Sequence, residues 1–158
     1  MRIRLRAATP ASLPASNSLA QCLRQGETAN MSSLIQNISV DCTHPFSLAQ
    51  FWSQVLDRPV HPDNEPDDEE VGVVLDDGDG ELLFLKVPEP KTVKNRLHLC
   101  LQPQLPREQE VERLLSLGAF LHDDRRKPDG SGWAVLLDPE GNEFCVLRSA
   151  AERPADAT

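Results

Sequence analysis

The side chains best suited to chemistry lie in two short segments of the second half of the chain. RLHLCLQ carries His98, and GNEFCVL carries Glu143 and Cys145. Glu143 and Cys145 are two residues apart, so an extended strand places them on one face. An imidazole titrates near neutrality, which suits His98 to donating a proton, accepting one or holding a ligand. Cys145 becomes a nucleophile where a base lowers its pKa, and His98 is the base available. Each residue also has a structural role open to it. His98 can be a satisfied, hydrogen-bonded histidine, Glu143 a polar rim residue, and Cys145 a small hydrophobe in a strand. No third orienting residue or oxyanion-hole motif accompanies the thiol, which favours the structural role for Cys145.

Two further features bear on binding. Trp133 follows the turn Asp129-Gly130-Ser131-Gly132 at the start of a strand, where it can stack on a planar ligand or pack into the core. Lys91, Lys94 and Arg96 form a local basic cluster that either draws a carboxylate or phosphate or solvates a loop. Arg125-Arg126-Lys127 reads as a solubilising run, and no chemistry is assigned to His44, His61 or His122. The acidic stretch HPDNEPDDEE lacks the ligand order and sharp-turn glycine of a calcium loop. There is no Walker loop, GxGxxG, nucleophile elbow or HExxH motif.

The elements that would position these residues repeat. Residues 34–42 alternate, with Ile38, Val40 and Cys42 on one face and Asn37, Ser39 and Asp41 on the other, as in a half-buried strand. Thr43-His44-Pro45 then starts a helix whose Leu48, Phe51, Trp52, Val55 and Leu56 share one side. A break at Asp57-Arg58-Pro59 is followed by a short strand over 60–62. A hairpin over 70–76 and 81–87 turns on Asp77-Gly78-Asp79-Gly80. The second unit starts with a strand over 96–102, in which Leu97, Leu99 and Leu101 oppose Arg96, His98 and Cys100. A helix from Pro106 carries Val111, Leu114, Leu115 and Leu117 and ends at Gly118. Strands over 119–123, 133–138 and 143–149 complete it. The order is βαβββ followed by βαβββ, and two such units usually enclose a ligand groove between them.

Composition narrows the partners. The chain has 158 residues, a net charge of −9 and a pI near 4.8, which disfavours nucleic acid and anionic membranes. No apolar stretch is long enough to span a bilayer. Cys22, Cys42, Cys100 and Cys145 show no CxxC spacing, and reduced thiols in a cytoplasmic protein are expected. Residues 1–33 read as a disordered extension or as a start codon placed too early, with Met31-Ser-Ser-Leu opening the domain at 34. Residues 150–158 read as a flexible tail.

The duplicated unit, together with Asp138-Pro139-Glu140-Gly141-Asn142 before the last strand, resembles the vicinal oxygen chelate superfamily. The runs FW-x-x-VL, VPEPKTVKNRLHL and DPEGNEFCVL are similar to those of its glyoxalase-like domain proteins. The resemblance covers residues 34–149 and implies an α+β fold. Modules of about 34–88 and 96–149 would each form half of a cup-shaped mixed sheet. Metal-dependent members carry ligands at positions that fall here on Asn37, His98 and Cys145, of which only His98 matches; Glu143 could substitute for Cys145. A ligand set this short implies no cofactor, although a divalent metal at His98 stays open. The cup would bring Asn37 and Glu143 close enough to hydrogen-bond His98. The expected function is binding of a small molecule by Asn37, Arg96, His98, Trp133, Glu143 and Cys145. The alternative is a lyase, isomerase or dioxygenase using His98, Glu143 and Cys145. A homodimer is plausible by the same resemblance.

Overall fold

The computed structural model describes residues 35–75 and 80–153; the expectations for residues 1–33, for Cys22, for Asp77-Gly78-Asp79 and for the end of the tail lie outside them. The first module contains β1 (Asn37–Cys42), α1 (Pro45–Leu56), β2 (Glu70–Val74) and β3 (Glu81–Lys86). The second contains β4 (Cys100–Leu101), α2 (Arg107–Ser116), β5 (Phe120–Asp124), β6 (Ala134–Leu137) and β7 (Glu143–Val146), followed by a 3-10 turn at Ala150–Glu152.

Strand order exposes the repeat. The first sheet runs β1-β3-β2 and the second β4-β7-β6-β5. In each module the first strand lies parallel to the last, and the remaining pairs are antiparallel. The fourth strand of the first module survives as a single antiparallel bridge, Val60 to Val73. Pro59 and Pro62 flank Val60, and proline donates no ladder hydrogen bond, so the strand expected over 60–62 cannot extend.

β4 is also shorter than the alternating pattern over 96–102 suggests. Upstream of it, the backbone N–H of Asn95 donates to the side-chain carboxylate of Glu143 (3.0 Å) and not to a backbone carbonyl of β7. Leu97 is 70% exposed, whereas Leu99 and Leu101 pack against the core. Residues 88–98 are therefore a connector between the two sheets, and the strand pairing resumes at Leu99, whose carbonyl accepts the Cys145 N–H (2.8 Å).

The apolar face of α1 was legible from its spacing: Leu48, Phe51, Trp52 and Val55 are buried. Its partners lie in both modules. Trp52 meets Phe144 of β7 edge-on, with ring centroids 5.1 Å apart, and Phe51 meets Trp52 at 5.7 Å. Such edge-on aromatic pairs contribute about 0.5–1.5 kcal/mol beyond their buried area.

The second module also grips both ends of α1. No side chain of the first module caps the helix start. Instead Glu140 accepts the backbone N–H of Thr43 (2.9 Å) and of His44 (2.8 Å), and the His44 ring lies 3.2 Å from the same carboxylate. At the far end Arg113 of α2 donates to the carbonyls of Gln54 (3.0 Å) and Val55 (2.9 Å), while Glu110 holds its guanidinium. A carboxylate at the N-terminus and a guanidinium at the C-terminus both match the helix dipole and satisfy groups that lack intrahelical partners.

Replacing Glu140 by Ala should cost about 1–2 kcal/mol, the usual range for losing a helix cap. Arg113→Ala should cost about 1–3 kcal/mol through its two charge-assisted bonds to carbonyls. Urea denaturation measures both. Losses below about 0.5 kcal/mol in both variants, typical of neutral surface changes, would contradict the grip.

Candidate functional site

The turn that carries Glu140 is built around a buried carboxylate. Asp138 is 1% exposed. It accepts the backbone N–H of Glu140 (3.0 Å) and of Asn142 (2.9 Å), the Asn142 amide, and the indole N–H of Trp52 at 3.2 Å. Burial raises its pKa, and these donors oppose the rise. Gly141 completes the turn at φ 84°, a left-handed conformation that glycine adopts without strain. Asp138 thus shapes the loop and ties it to α1 in one step.

Between β1 and the connector lies a cavity of about 740 Å³. Residues 38–42 line one side, residues 89–99 another, and Asp138, Glu140, Asn142 and Glu143 close the end. Trp52 and Phe144 reach it from the core. The wall is apolar at Ile38, Val40, Val93, Leu97 and Leu99 and polar at Ser39, Asp41 and the basic cluster. Apolar walls with a few polar groups are the usual make-up of a small-molecule site, and the volume lies in the usual range.

Of the residues singled out from the sequence, Arg96, His98 and Glu143 line this cavity together. Asn37, Trp133 and Cys145 are not among its lining residues. Trp133 is 43% exposed beside β6, and Cys145 is buried opposite Cys100. His98 makes no hydrogen bond or ion pair among the described residues, so neither Asn37 nor Glu143 anchors it. Arg96 and Lys94 are likewise without hydrogen bonds or ion pairs there.

Glu143 is committed elsewhere. Its carboxylate accepts the Asn95 N–H and pairs with Lys91 Nζ at 3.1 Å, with only 6% of its side chain exposed. Burial pushes its pKa up, but Asn95 and Lys91 outweigh that and hold it down at about 2. A carboxylate that acidic is a weak proton acceptor at neutral pH.

Neither buried thiol is ionised at neutral pH. Burial, then the carboxylates of Glu140, Asp138 and Asp41, push Cys42 up to about 12. Burial, then Cys100, push Cys145 up to about 11, so His98 activates no thiolate there. No group of three His, Cys, Asp or Glu side chains among the described residues is placed to hold a metal ion. The described residues alone therefore supply no three-ligand centre of the kind found in metal-dependent members of the superfamily.

Local spacing did not reveal Asp138 and Glu140 as more than turn residues, nor Asn95 as a partner of Glu143. The available signals were indirect: a buried indole needs an acceptor, and a helix opening on Thr-His-Pro needs a cap from elsewhere.

Paired modules of this topology, with a cavity between β1 and the connector, define an α+β protein of the vicinal oxygen chelate type. The chain belongs to the glyoxalase-like domain family, whose model matches residues 37–147. Among solved structures it is similar to a glyoxalase/bleomycin resistance protein/dioxygenase family enzyme from Burkholderia phytofirmans PsJN. That match has 19% identity and a TM-score of 0.56, covering 72% of this chain and 97% of the other. TnmS3, an antibiotic binding protein from Streptomyces sp. CB03234, is similar at 17% identity and TM-score 0.55, covering 77% and 100%. A glyoxalase-related enzyme from Fulvimarina pelagi matches at 16% identity and TM-score 0.55, covering 73% and 88%. At these identities the likeness establishes the fold. No curated protein matches the chain significantly. No helix among the described residues is long and apolar enough to cross a membrane.

The Glu143 contacts make a pH prediction. Its folded pKa lies below the ordinary value of 4.5, so ionised Glu143 adds stability above pH 4.5 that is lost as the pH falls toward about 2. Glu143→Gln should be less stable than the wild type at neutral pH, and the gap should narrow through that window. Stability curves that stay parallel from pH 7 to 2 would contradict the assignment.

Proposed function

We propose that the chain binds a small molecule in the cavity between β1 and the connector, without a complete metal site and without catalysing a reaction. One observation carries this reading: the cavity joins an apolar wall to three cationic or titratable side chains, Lys94, Arg96 and His98, which make no hydrogen bonds or ion pairs among the described residues. Unpaired groups of that kind are available to a ligand. They favour a molecule with an apolar body and an acidic group, the body against Ile38, Val40 and Leu99 and the acid toward Arg96. The family match and an antibiotic-binding protein among the structural neighbours support the same reading.

The other reading is a lyase, isomerase or dioxygenase that uses His98 and Glu143, which do face one cavity. Glu143 as a base would first have to lose Lys91 and Asn95. Binding without chemistry needs no such rearrangement. We propose a cytoplasmic location from the reduced thiols and leave a homodimer as part of the same proposal.

A thermal-shift screen of aromatic antibiotics, thiol conjugates and 2-oxo acids, with and without divalent metals, tests the proposal. A compound at about 100 times its Kd should stabilise the native state by about 2.7 kcal/mol, a rise of several degrees in Tm. His98→Ala and Arg96→Ala should each reduce that rise, and Asn37→Ala should leave it intact. Hits sensitive to Asn37→Ala but indifferent to the other two would move the site to the outer end of β1. Stabilisation that appears only with a metal, together with turnover, would favour the enzyme.

A further inference from the structure

Cys100 and Cys145 stand directly opposite each other on the parallel strands β4 and β7. Neither forms a disulfide in the structure. Opposed residues of a parallel ladder project from the same face of the sheet. A strand spacing of about 4.8 Å brings their Cα atoms within the roughly 4.4–6.8 Å that a disulfide spans. Access is unequal: Cys100 is exposed and Cys145 is 4% exposed beneath it. A solvent-facing thiol in register with a buried partner is the arrangement of an attacking and a resolving cysteine.

We propose that Cys100 and Cys145 form a reversible dithiol–disulfide site, closed by a hydroperoxide. In the first step the Cys100 thiolate attacks one peroxide oxygen and the O–O bond breaks. Cys100 becomes a sulfenic acid, and the departing oxygen takes up the proton that Cys100 released, leaving as water when the oxidant is hydrogen peroxide. In the second step the Cys145 sulfur attacks the Cys100 sulfur. The S–S bond forms, the S–O bond breaks, and hydroxide leaves with the Cys145 proton as a second water. The two thiols together lose two electrons and the peroxide gains them. Exposure assigns the first step to Cys100, because the peroxide must reach the attacking sulfur.

The bond is a labile one. Spacing across parallel strands is wider than the roughly 3.5–4.5 Å preferred between disulfide Cβ atoms, and strained disulfides are the more easily reduced. β4 has two residues and terminates the connector that lines the cavity, so closure pins that end of the connector to β7. Any consequence for a bound molecule rests on the proposed binding function; the bond itself does not. Cys42 is the internal control, since it is buried and has no opposed cysteine.

The test uses the full chain, reduced, treated with hydrogen peroxide, alkylated and mapped by mass spectrometry. The expected product is a cross-link between the Cys100 and Cys145 peptides with loss of two hydrogens, restored to free thiols by dithiothreitol. C100S abolishes the cross-link, and C145A leaves Cys100 as a sulfenic acid that dimedone traps. C22S and C42S leave the cross-link unchanged. Should C145A fail to fold, the exposed-site variant C100S still decides the matter. The proposal is overturned if both thiols stay alkylatable after peroxide, if Cys100 pairs with Cys22 or with a second chain, or if the cross-link persists in C100S. Amide exchange of residues 94–99 should slow in the oxidised form, and unchanged exchange would remove the pinning of the connector while leaving the bond intact.

Discussion

Helix α1 belongs to the first module by sequence and is held by the second. Its unsatisfied N–H groups are met by Glu140, its terminal carbonyls by Arg113, and its buried Trp52 by Asp138 and Phe144. Each contact answers a need that the first module leaves open. A helix without a side-chain cap needs an acceptor at its start, and an indole in a dry core needs somewhere to place its proton. The turn from Asp138 to Asn142 supplies both from one short segment. Helix α1 thus packs on β2 and β3 of its own module while its ends and its indole are held by the other.

The cavity follows from that clamp. Asp138 and Glu140, which hold α1, also line the cavity between β1 and the connector. Glu143 holds the connector down through Asn95 and Lys91. What is left facing inward is an apolar wall, with Arg96 and His98 making no hydrogen bond or ion pair among the described residues. Of Asn37, His98 and Cys145, the positions at which metal-dependent members of the superfamily carry ligands, only His98 lines this cavity.

Much of this was legible in the chain. The repeat, the alternation of β1, the apolar face of α1 and the turn before β7 all come from local spacing, and local spacing reads well. The failures share a cause. Glu143 takes the Asn95 N–H from 48 residues away, just ahead of the segment expected to be a strand, and Glu140 caps a helix start 96 residues before it. Partnerships of that reach leave no periodic mark. Asn37 fell on the expected face of β1 but beyond the segment that lines the cavity, because the strand runs past the hollow. Face can be read from alternation, whereas position along the groove depends on how two sheets are offset.

Native-state hydrogen exchange in graded denaturant tests the central claim most directly. If the clamp makes one cooperative unit, core amides of β3 in the first module and β7 in the second converge on a single opening free energy equal to that of global unfolding. Two separate plateaus, with β3 opening while β7 stays protected, would contradict it.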